Sequence, residues 1–391
     1  KTQLLFLIIG SFFVINFLFG SALTNFKLVQ KFAPSPRPAI SISTPSTTQL
    51  ETGGTESGQI RLIVWKGALD VFKAYPILGS GVETFAYSYY QFRPAEHNLT
   101  SEWDYLYNKA HNEYLNYLST AGLVGFVAYI IVISTFVIWS IKKITSLFIL
   151  HSALLASYIS YLIYISTLFS TVSTAIFFFL IPGFAFVATD SIKPLKKVFN
   201  FKQDIYIKVT QIIIILSTFY LLSSIFKFWY ADRQFTLGQK YMDSGYIGQS
   251  YKYLISASGQ NSMEPYYQSE LGYVAAATSM LLADEDASFS AELKQEAIST
   301  TEKVLKENPK NVSFWRTAIR TYFEIADIPK TIETLDKTIN LAPTDPKLLF
   351  NKAVILEATG QKEQAMLALK KALDLKPNYL DALDKLKQWE K

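Results

Sequence analysis

Residues 343–377, PTDPKLLFNKAVILEATGQKEQAMLALKKALDLKP, contain the most regular pattern in the chain. Prolines stand at both ends of this segment, and Pro309 lies the same 34 positions upstream (343 − 309 and 377 − 343). The interval also relates large side chains, Trp315 to Leu349 and Tyr322 to Leu356. A period of this length predicts stacked pairs of antiparallel helices, each of which buries its apolar face against its neighbours.

The order of small and large residues within this segment resembles the tetratricopeptide repeat. Its small, turn, large and proline positions are Ala353, Gly360, Ala365, Leu369, Ala372 and Pro377. Small residues let two helices approach closely, and proline ends the second one. Earlier repeats begin near Ala231 and Pro265, and we expect an insertion around Ala283–Glu292 to form a solvated acidic loop. Four repeats plus a capping helix from Leu380 are therefore predicted over residues 231–391.

Residues 1–230 are predicted to form a membrane domain. Of the 391 residues, 50% are hydrophobic and 18% charged, and the long apolar runs all lie in this part. Spanning a bilayer takes roughly 20 apolar residues. Five runs come close: Leu4–Leu23, Leu123–Ile141, Ile144–Ser166, Thr171–Ala188 and Ile205–Phe226. The predicted fold class is all-α, a polytopic transmembrane bundle of about five spans followed by a tetratricopeptide α-solenoid.

Lysines in the short connections predict the orientation of these spans. Lys142-Lys143 follows the second span, and four further lysines separate the fourth and fifth spans. Because positively charged connections stay in the cytoplasm, residues 24–122 and 231–391 should lie outside it. Within this outer loop, residues 33–59 are rich in Pro, Ser and Thr and indicate a flexible linker. The first run could instead be a cleaved signal peptide, and the start at Lys1 suggests a piece of a longer protein.

The composition excludes several classes of site. The chain has no cysteine, so disulfides, cysteine-based metal sites and thiol nucleophiles are ruled out. Its three histidines show no metal-ligand spacing. The net charge of +5 comes largely from lysines beside apolar runs, and no basic stripe with interleaved aromatics suggests nucleic acid binding.

The outer loop contains two candidate catalytic residues. Residues Ile60–Tyr75 have a helical pattern in which Arg61 shares a stripe with Trp65, Ala68 and Phe72. An arginine on an apolar face needs an anionic partner, although a snorkelling interfacial arginine is the alternative. His111 precedes the second span. On a continuous helix it would share a face with Tyr114, Leu118, Gly122 and Gly125, roughly 16 Å along the axis from Gly122.

These residues together resemble bacterial O-antigen ligases and polymerases, some of which carry C-terminal tetratricopeptide repeats. The resemblance rests on Arg61-x-x-x-Trp65, Pro76-x-x-Gly79-x-Gly81, His111-Asn112-x-Tyr114-Leu115 and Gly122-Leu123-x-Gly125, in this order. It implies metal-independent and cofactor-independent transfer of a glycan from a polyprenyl-diphosphate carrier at the outer face of the bacterial cytoplasmic membrane. The roles implied are a base for His111 and charge stabilisation of the leaving diphosphate for Arg61.

Further residues of the loop are candidates for substrate binding: Arg93, His97, Asp104, Lys109, Asn112 and Tyr114. Alternatives are a solvent-exposed loop histidine at His97 and an Asp104–Lys109 ion pair. His151, within the third span, should hydrogen-bond to a neighbouring helix.

Several functions and partners remain open. The acceptor is a glycan, a lipid or a protein, which leaves ligase, polymerase and protein oligosaccharyltransferase as variants of one chemistry. The repeat groove should bind a protein partner or serve as a lid or spacer. A non-catalytic, membrane-anchored scaffold for envelope proteins is the alternative from another class. Such a scaffold would need neither Arg61 nor His111.

Overall fold

A computed structural model describes residues 55–105, 107–143, 148–188 and 203–390. The chain divides into two compact units, Lys1–Glu51 and Thr52–Lys391, and every described residue belongs to the second. The predicted first span, Leu4–Leu23, and the linker as far as residue 54 lie outside the described residues. The described part contains fourteen α-helices, one 3₁₀ helix and no strand, which confirms the all-α class.

The outer loop contains two helices and a 3₁₀ turn. Helix α1 is Ser57–Ala74 and α2 is Phe85–Phe92, followed by the 3₁₀ helix Ala95–Leu99. The buried stripe of α1 comprises Ile60, Val64, Gly67, Ala68 and Val71. The predicted stripe of Arg61, Trp65, Ala68 and Phe72 is therefore not the buried face of α1. Arg61, Trp65 and Phe72 lie half-buried at the margin of that face.

Four helices follow in the membrane part. They are α3 (Glu113–Lys143), α4 (Phe148–Thr167), α5 (Val172–Ala188) and α6 (Gln203–Asp243). In the described residues, α3, α4 and α6 contain segments long and apolar enough to cross a membrane, whereas α5 is shorter at 17 residues. Aromatic side chains join the first three: the rings of Phe136 and Tyr158 are 4.7 Å apart and those of Tyr129 and Phe178 are 5.4 Å apart.

Helix α3 is interrupted at Gly122, so the prediction of one continuous face from His111 to Gly125 was wrong. Gly122 has φ 65° and ψ −168°, outside the helical region. The loop after α1 fills the interruption: Leu123 N donates to Pro76 O at 2.9 Å, and Gly81 N donates to Thr120 O at 2.9 Å. A Cβ on Gly122 would lie 2.4 Å from Gly79 N. Only glycine permits this backbone conformation and this approach.

Helix α6 connects the last apolar segment to the repeats without a break. It has 41 residues, and the proposed domain boundary at residues 230/231 falls inside it. Its apolar part is exposed over residues 209–222, as expected for a lipid-facing segment. Its C-terminal part packs on α7 (Ile247–Gln260) and forms the first helix pair of the array.

Three further helix pairs and a terminal helix complete the array. The pairs are α8 (Pro265–Leu281) with α9 (Ala287–Glu307), α10 (Val312–Glu324) with α11 (Ile328–Leu341), and α12 (Pro346–Ala358) with α13 (Lys362–Leu375). Helix α14 (Leu380–Trp389) is last. The three periodic prolines each follow the end of a second helix by two residues, which agrees with the solenoid prediction.

The insertion in the second repeat forms the predicted exposed acidic loop only over residues 283–286, and residues 287–292 belong to the following helix. Helix α9 begins at Ala287 and has 21 residues, against 14 in α11 and in α13. Asp286 accepts a hydrogen bond from Phe289 N at 3.0 Å and caps this helix. The additional residues therefore extend a helix because the acidic run supplies its N-terminal cap.

Candidate functional site

His111 and Arg61 lie near the N-terminal end of α3, close enough for the charge of Arg61 to act on the His111 ring. His111 adopts φ 51° in the turn before α3. Its half-buried ring contacts Phe169 and Tyr107, with ring centroids 5.1 and 5.4 Å away. Burial, and then the charge of Arg61, lower the pKa of His111 below its ordinary value. Arg61 Nε is itself buried and has no hydrogen-bond partner among the described residues.

The residues after His111 anchor this turn to the α4–α5 hairpin. Asn112 Oδ1 accepts a hydrogen bond from Leu115 N at 3.0 Å and caps α3. Glu113 is buried and accepts from Ser170 N at 3.2 Å. The Tyr114 hydroxyl donates to Leu162 O at 3.2 Å. Asn112 Oδ1 and the Tyr114 hydroxyl, of two residues predicted to bind substrate, thus bond within the protein and anchor the turn that carries His111.

Within the outer loop, the side chains of Arg93, His97 and Asn98 form a buried cluster. Arg93 Nε donates to His97 Nδ1 at 3.0 Å, and Arg93 Nη2 donates to Asn98 Oδ1 at 2.8 Å and to Trp103 O. Because Nδ1 must accept, the proton of His97 sits on Nε2. The expectation of a solvent-exposed His97 was wrong, since the side chain is fully buried.

Burial dominates the electrostatics of this cluster. It lowers the pKa of His97 from 6.5 to about 3, with the Arg93 charge as the second cause. Burial also lowers the pKa of Arg93. His97 is therefore neutral at physiological pH. Its contact with Tyr107, whose ring centroid is 5.1 Å away, connects the cluster to the ring that also touches His111.

The outer loop is docked on the last two repeats. Asn98 Nδ2 donates to Thr344 O at 2.8 Å, Lys376 Nζ donates to Asn98 O at 3.0 Å, and Thr344 Oγ1 donates to Arg93 O at 3.0 Å. Trp103 packs on Tyr379, with ring centroids 5.4 Å apart. The repeats therefore bind a segment of their own chain.

Two more predicted substrate-binding residues form ion pairs. Asp104 pairs with Lys347 of the array, and Lys109 pairs with Glu83 at 2.5 Å. The alternative prediction of an Asp104–Lys109 pair was wrong, because each side chain has a different partner. In this arrangement Arg93, His97 and Asp104 belong to the loop–array interface, while Arg61 and His111 remain together near the membrane helices.

Family comparisons match two separate parts of the chain. Residues 2–130 match the family model described as O-antigen ligase, and residues 346–379 match the tetratricopeptide repeat. The predicted resemblance is confirmed. Among solved structures, the chain is similar to one titled "Crystal structure of APC/C hetero-tetramer Cut9-Hcn1", at 18% identity and a TM-score of 0.33 over 66% of this chain. The chain spans 46% of that protein's length. No curated protein matches the chain.

The O-antigen ligase match supports a membrane protein of a glycan-transferring family. The matched region includes both Arg61 and His111, and the matched repeat includes Lys347 and Lys376, which bind the loop.

Sequence reasoning missed several residues that organise this site. Glu113 stands beside His111, but no pattern indicated that it would bond to the α4–α5 turn. Asn98 was not among the predicted site residues. Lys376 directly precedes a repeat proline, and the same position holds asparagine and alanine in the two preceding repeats. The charged residue at this position was the one signal in the sequence that could have indicated its role.

Proposed function

We propose that the protein transfers a glycan from a polyprenyl-diphosphate carrier to an acceptor hydroxyl at the outer face of the cytoplasmic membrane. The observation that carries this proposal is the proximity of a half-buried histidine and an arginine with a desolvated Nε at the end of apolar helices. The acceptor oxygen attacks the anomeric carbon, and the bond between that carbon and the phosphate oxygen breaks. The diphosphate leaves with the electron pair.

His111 acts as the base in this reaction. Its lowered pKa keeps the imidazole neutral at pH 7, so a ring nitrogen can accept the proton of the acceptor hydroxyl. Arg61 stabilises the charge that develops on the leaving diphosphate. A desolvated guanidinium is effective here because electrostatic interactions strengthen where water is excluded.

The repeats support this chemistry by holding the outer loop. The contacts of Asn98, Trp103 and Asp104 with the last two repeats favour an array that acts on its own chain. We propose that docking orders the loop and thereby keeps α1, which carries Arg61, beside His111. The earlier repeats remain available to a protein partner.

Replacement of His111 tests the catalytic assignment. His111→Ala in the full-length protein should abolish glycan transfer while leaving the thermal unfolding temperature close to that of the wild type. The matched control is Lys66→Gln, which removes an exposed charge on α1 that pairs with Glu96. Unimpaired transfer by His111→Ala would exclude His111 as the base.

The pH dependence tests the proposed partnership. Removing the Arg61 charge should raise the pKa of His111, since that charge contributes to lowering it. The acid limb of kcat/KM for Arg61→Gln should therefore move to higher pH, whereas Lys66→Gln should leave it in place. An acid limb at the wild-type position would contradict a role of Arg61 beside the base.

The proposed orientation can be tested with single cysteines, because the chain contains no native thiol. Lys73→Cys in the outer loop should react with a membrane-impermeant maleimide on intact spheroplasts. Lys142→Cys, in the basic last turn of α3, should react only after permeabilisation. The reverse labelling pattern would refute the proposed sidedness and with it the location of the reaction.

A further inference from the structure

A cleft of about 290 Å³ lies between the outer loop and the array. One wall is the end of α1, the Pro76–Thr84 loop and α2, and the other is the turn between α9 and α10. The volume is near the lower limit of small-molecule pockets, about 300 Å³. Since each wall comes from a different part of the chain, the cleft is complete only when the loop is docked.

The cleft combines aromatic rings with a row of hydroxyls. Tyr75 and Tyr87 contribute rings, and Tyr87 is 42% exposed. Ser80, Thr84 and Ser88 form the row: Ser80 Oγ lies 2.8 Å from Thr84 Oγ1 and donates to Ser88 Oγ at 3.2 Å. Thr84 Oγ1 and Ser88 Oγ already donate to the carbonyl oxygens of Gly81 and Thr84. The row therefore offers acceptor oxygens to a ligand that presents several hydroxyls.

Nitrogen donors complete the lining. Gln91 contributes an amide, and Lys310 contributes an ammonium group whose Nζ lies 5.6 Å from the centre of the Tyr75 ring. No carboxylate side chain belongs to the lining. Aromatic rings stack on apolar faces while side-chain hydroxyls and amides bond to hydroxyls at the edges. A sugar ring has both features, whereas a lipid tail would leave the polar groups unpaired.

The position of the cleft separates it from the reacting bond. Tyr75 follows Arg61 by 14 residues (75 − 61) along α1, which corresponds to about 21 Å at the helical rise. The cleft nevertheless adjoins the first segment of α3, because Ser80 N donates to Ser119 O at 3.0 Å. His111 precedes that same segment.

From these observations we infer that the cleft binds a saccharide unit of the glycan remote from the bond that reacts at His111. This inference rests on the proposed function, because it takes the glycan as the substrate. A chain of several sugars can occupy the cleft and the reaction centre together. Such binding would select glycans by length and by the sugar that reaches Tyr75 and Tyr87.

Binding of soluble saccharides to the full-length protein in nanodiscs tests this inference. One probe is the oligosaccharide released by mild acid from the lipid-linked donor of the source cells. The other is the glycan of the acceptor isolated from cells that lack this protein. Saturation-transfer NMR gives the affinity of each probe and shows whether donor or acceptor occupies the cleft.

The variants separate the cleft from the reaction centre. Tyr87→Ala should weaken binding of the occupying probe by about tenfold or more, because it removes a stacking surface. Tyr246→Ala removes a 63% exposed tyrosine at the other end of the array and should bind like the wild type. His111→Ala should also bind normally while losing transfer.

Each outcome decides one proposal. Equal affinity of Tyr87→Ala and the wild type, or no binding of either probe to the wild type, would overturn the saccharide site even if His111→Ala had lost transfer. Full transfer by His111→Ala with weakened binding by Tyr87→Ala would overturn the catalytic assignment and leave the cleft as a saccharide site. If Tyr87→Ala unfolds, Lys310→Ala on the opposite wall replaces it, with the same criterion.

Discussion

Asn98 joins the outer loop to the array through hydrogen bonds that a single substitution removes. Its fully buried amide accepts from Arg93 Nη2 at 2.8 Å and donates to Thr344 O at 2.8 Å and to Leu375 O at 3.3 Å. Asn98→Ala deletes all three bonds. It also leaves two carbonyl oxygens of the array without this donor while they remain covered by the loop.

These distances give the expected magnitude. A hydrogen bond to a charged group contributes about 2 kcal/mol and one between neutral groups about 1 kcal/mol. The longer bond to Leu375 adds little because Nδ2 is shared with Thr344. The bond to Arg93 lies within the loop, so undocking does not break it. Only the bonds to the array count, and docking should therefore weaken by about 1.4 kcal/mol, which corresponds to roughly a tenfold larger open population.

Hydrogen exchange of the full-length protein measures this population. The amides of residues 95–104 should exchange about tenfold faster in Asn98→Ala, since exchange follows local opening. The matched control is Asn340→Ala, which removes an exposed amide from α11 of the same array and should leave the loop protected. Identical protection in Asn98→Ala and the wild type would refute the idea that these contacts hold the loop on the repeats.

Three other substitutions test separate parts of the structure. Gly122→Ala should lower the thermal unfolding temperature by an amount equivalent to about 1–3 kcal/mol, from backbone strain, while Gly183→Ala, with open space around its Cβ position, should not. Burial lowers the pKa of His97 to about 3, so the unfolded state binds the proton first. The free energy of unfolding should therefore be about 2 kcal/mol lower at pH 5 than above about pH 6.5. Chemical denaturation of His97→Gln should show a smaller decrease over the same pH range than the wild type. Ala326 has φ 58°, so Ala326→Gly should stabilise the array by about 1 kcal/mol in the same assay. Ala358→Gly, at the last residue of α12, should destabilise it. The opposite signs would contradict the strain at residue 326.

The glycines of the outer loop show where a sequence pattern was correct but its meaning was not accessible. The Pro76-x-x-Gly79-x-Gly81 and Gly122 motifs were recognised as separate features of a family. In the structure they form one contact, because Gly79 lies against the backbone of Thr120 and Ala121 and Gly122 lies against Ile77. Helical spacing alone predicted an unbroken α3, since it cannot indicate that another backbone enters a helix.

The polar residues of the loop show a second limit. Arg93, His97 and Asp104 have the composition of a ligand site, and the sequence offered only local partners for them. Their actual environment comes from residues far along the chain: Asn98 and Thr344 are 246 positions apart, and Asp104 and Lys347 are 243 apart. The same polar groups therefore became an internal interface.

Sequence patterns were sufficient for the helices, the three long apolar segments among the described residues and the repeat architecture. Hydrophobic periodicity repeats within one or two helix turns, and the proline spacing of 34 residues gives the length of one repeat directly. They also identified Arg61 and His111 as candidates. Tertiary structure decided that the Arg61 charge lies near His111, that α3 breaks at Gly122 and that the repeats bind their own loop. Each of these outcomes depends on contacts between distant segments, and periodicity reports which face of a helix is buried but not which partner buries it.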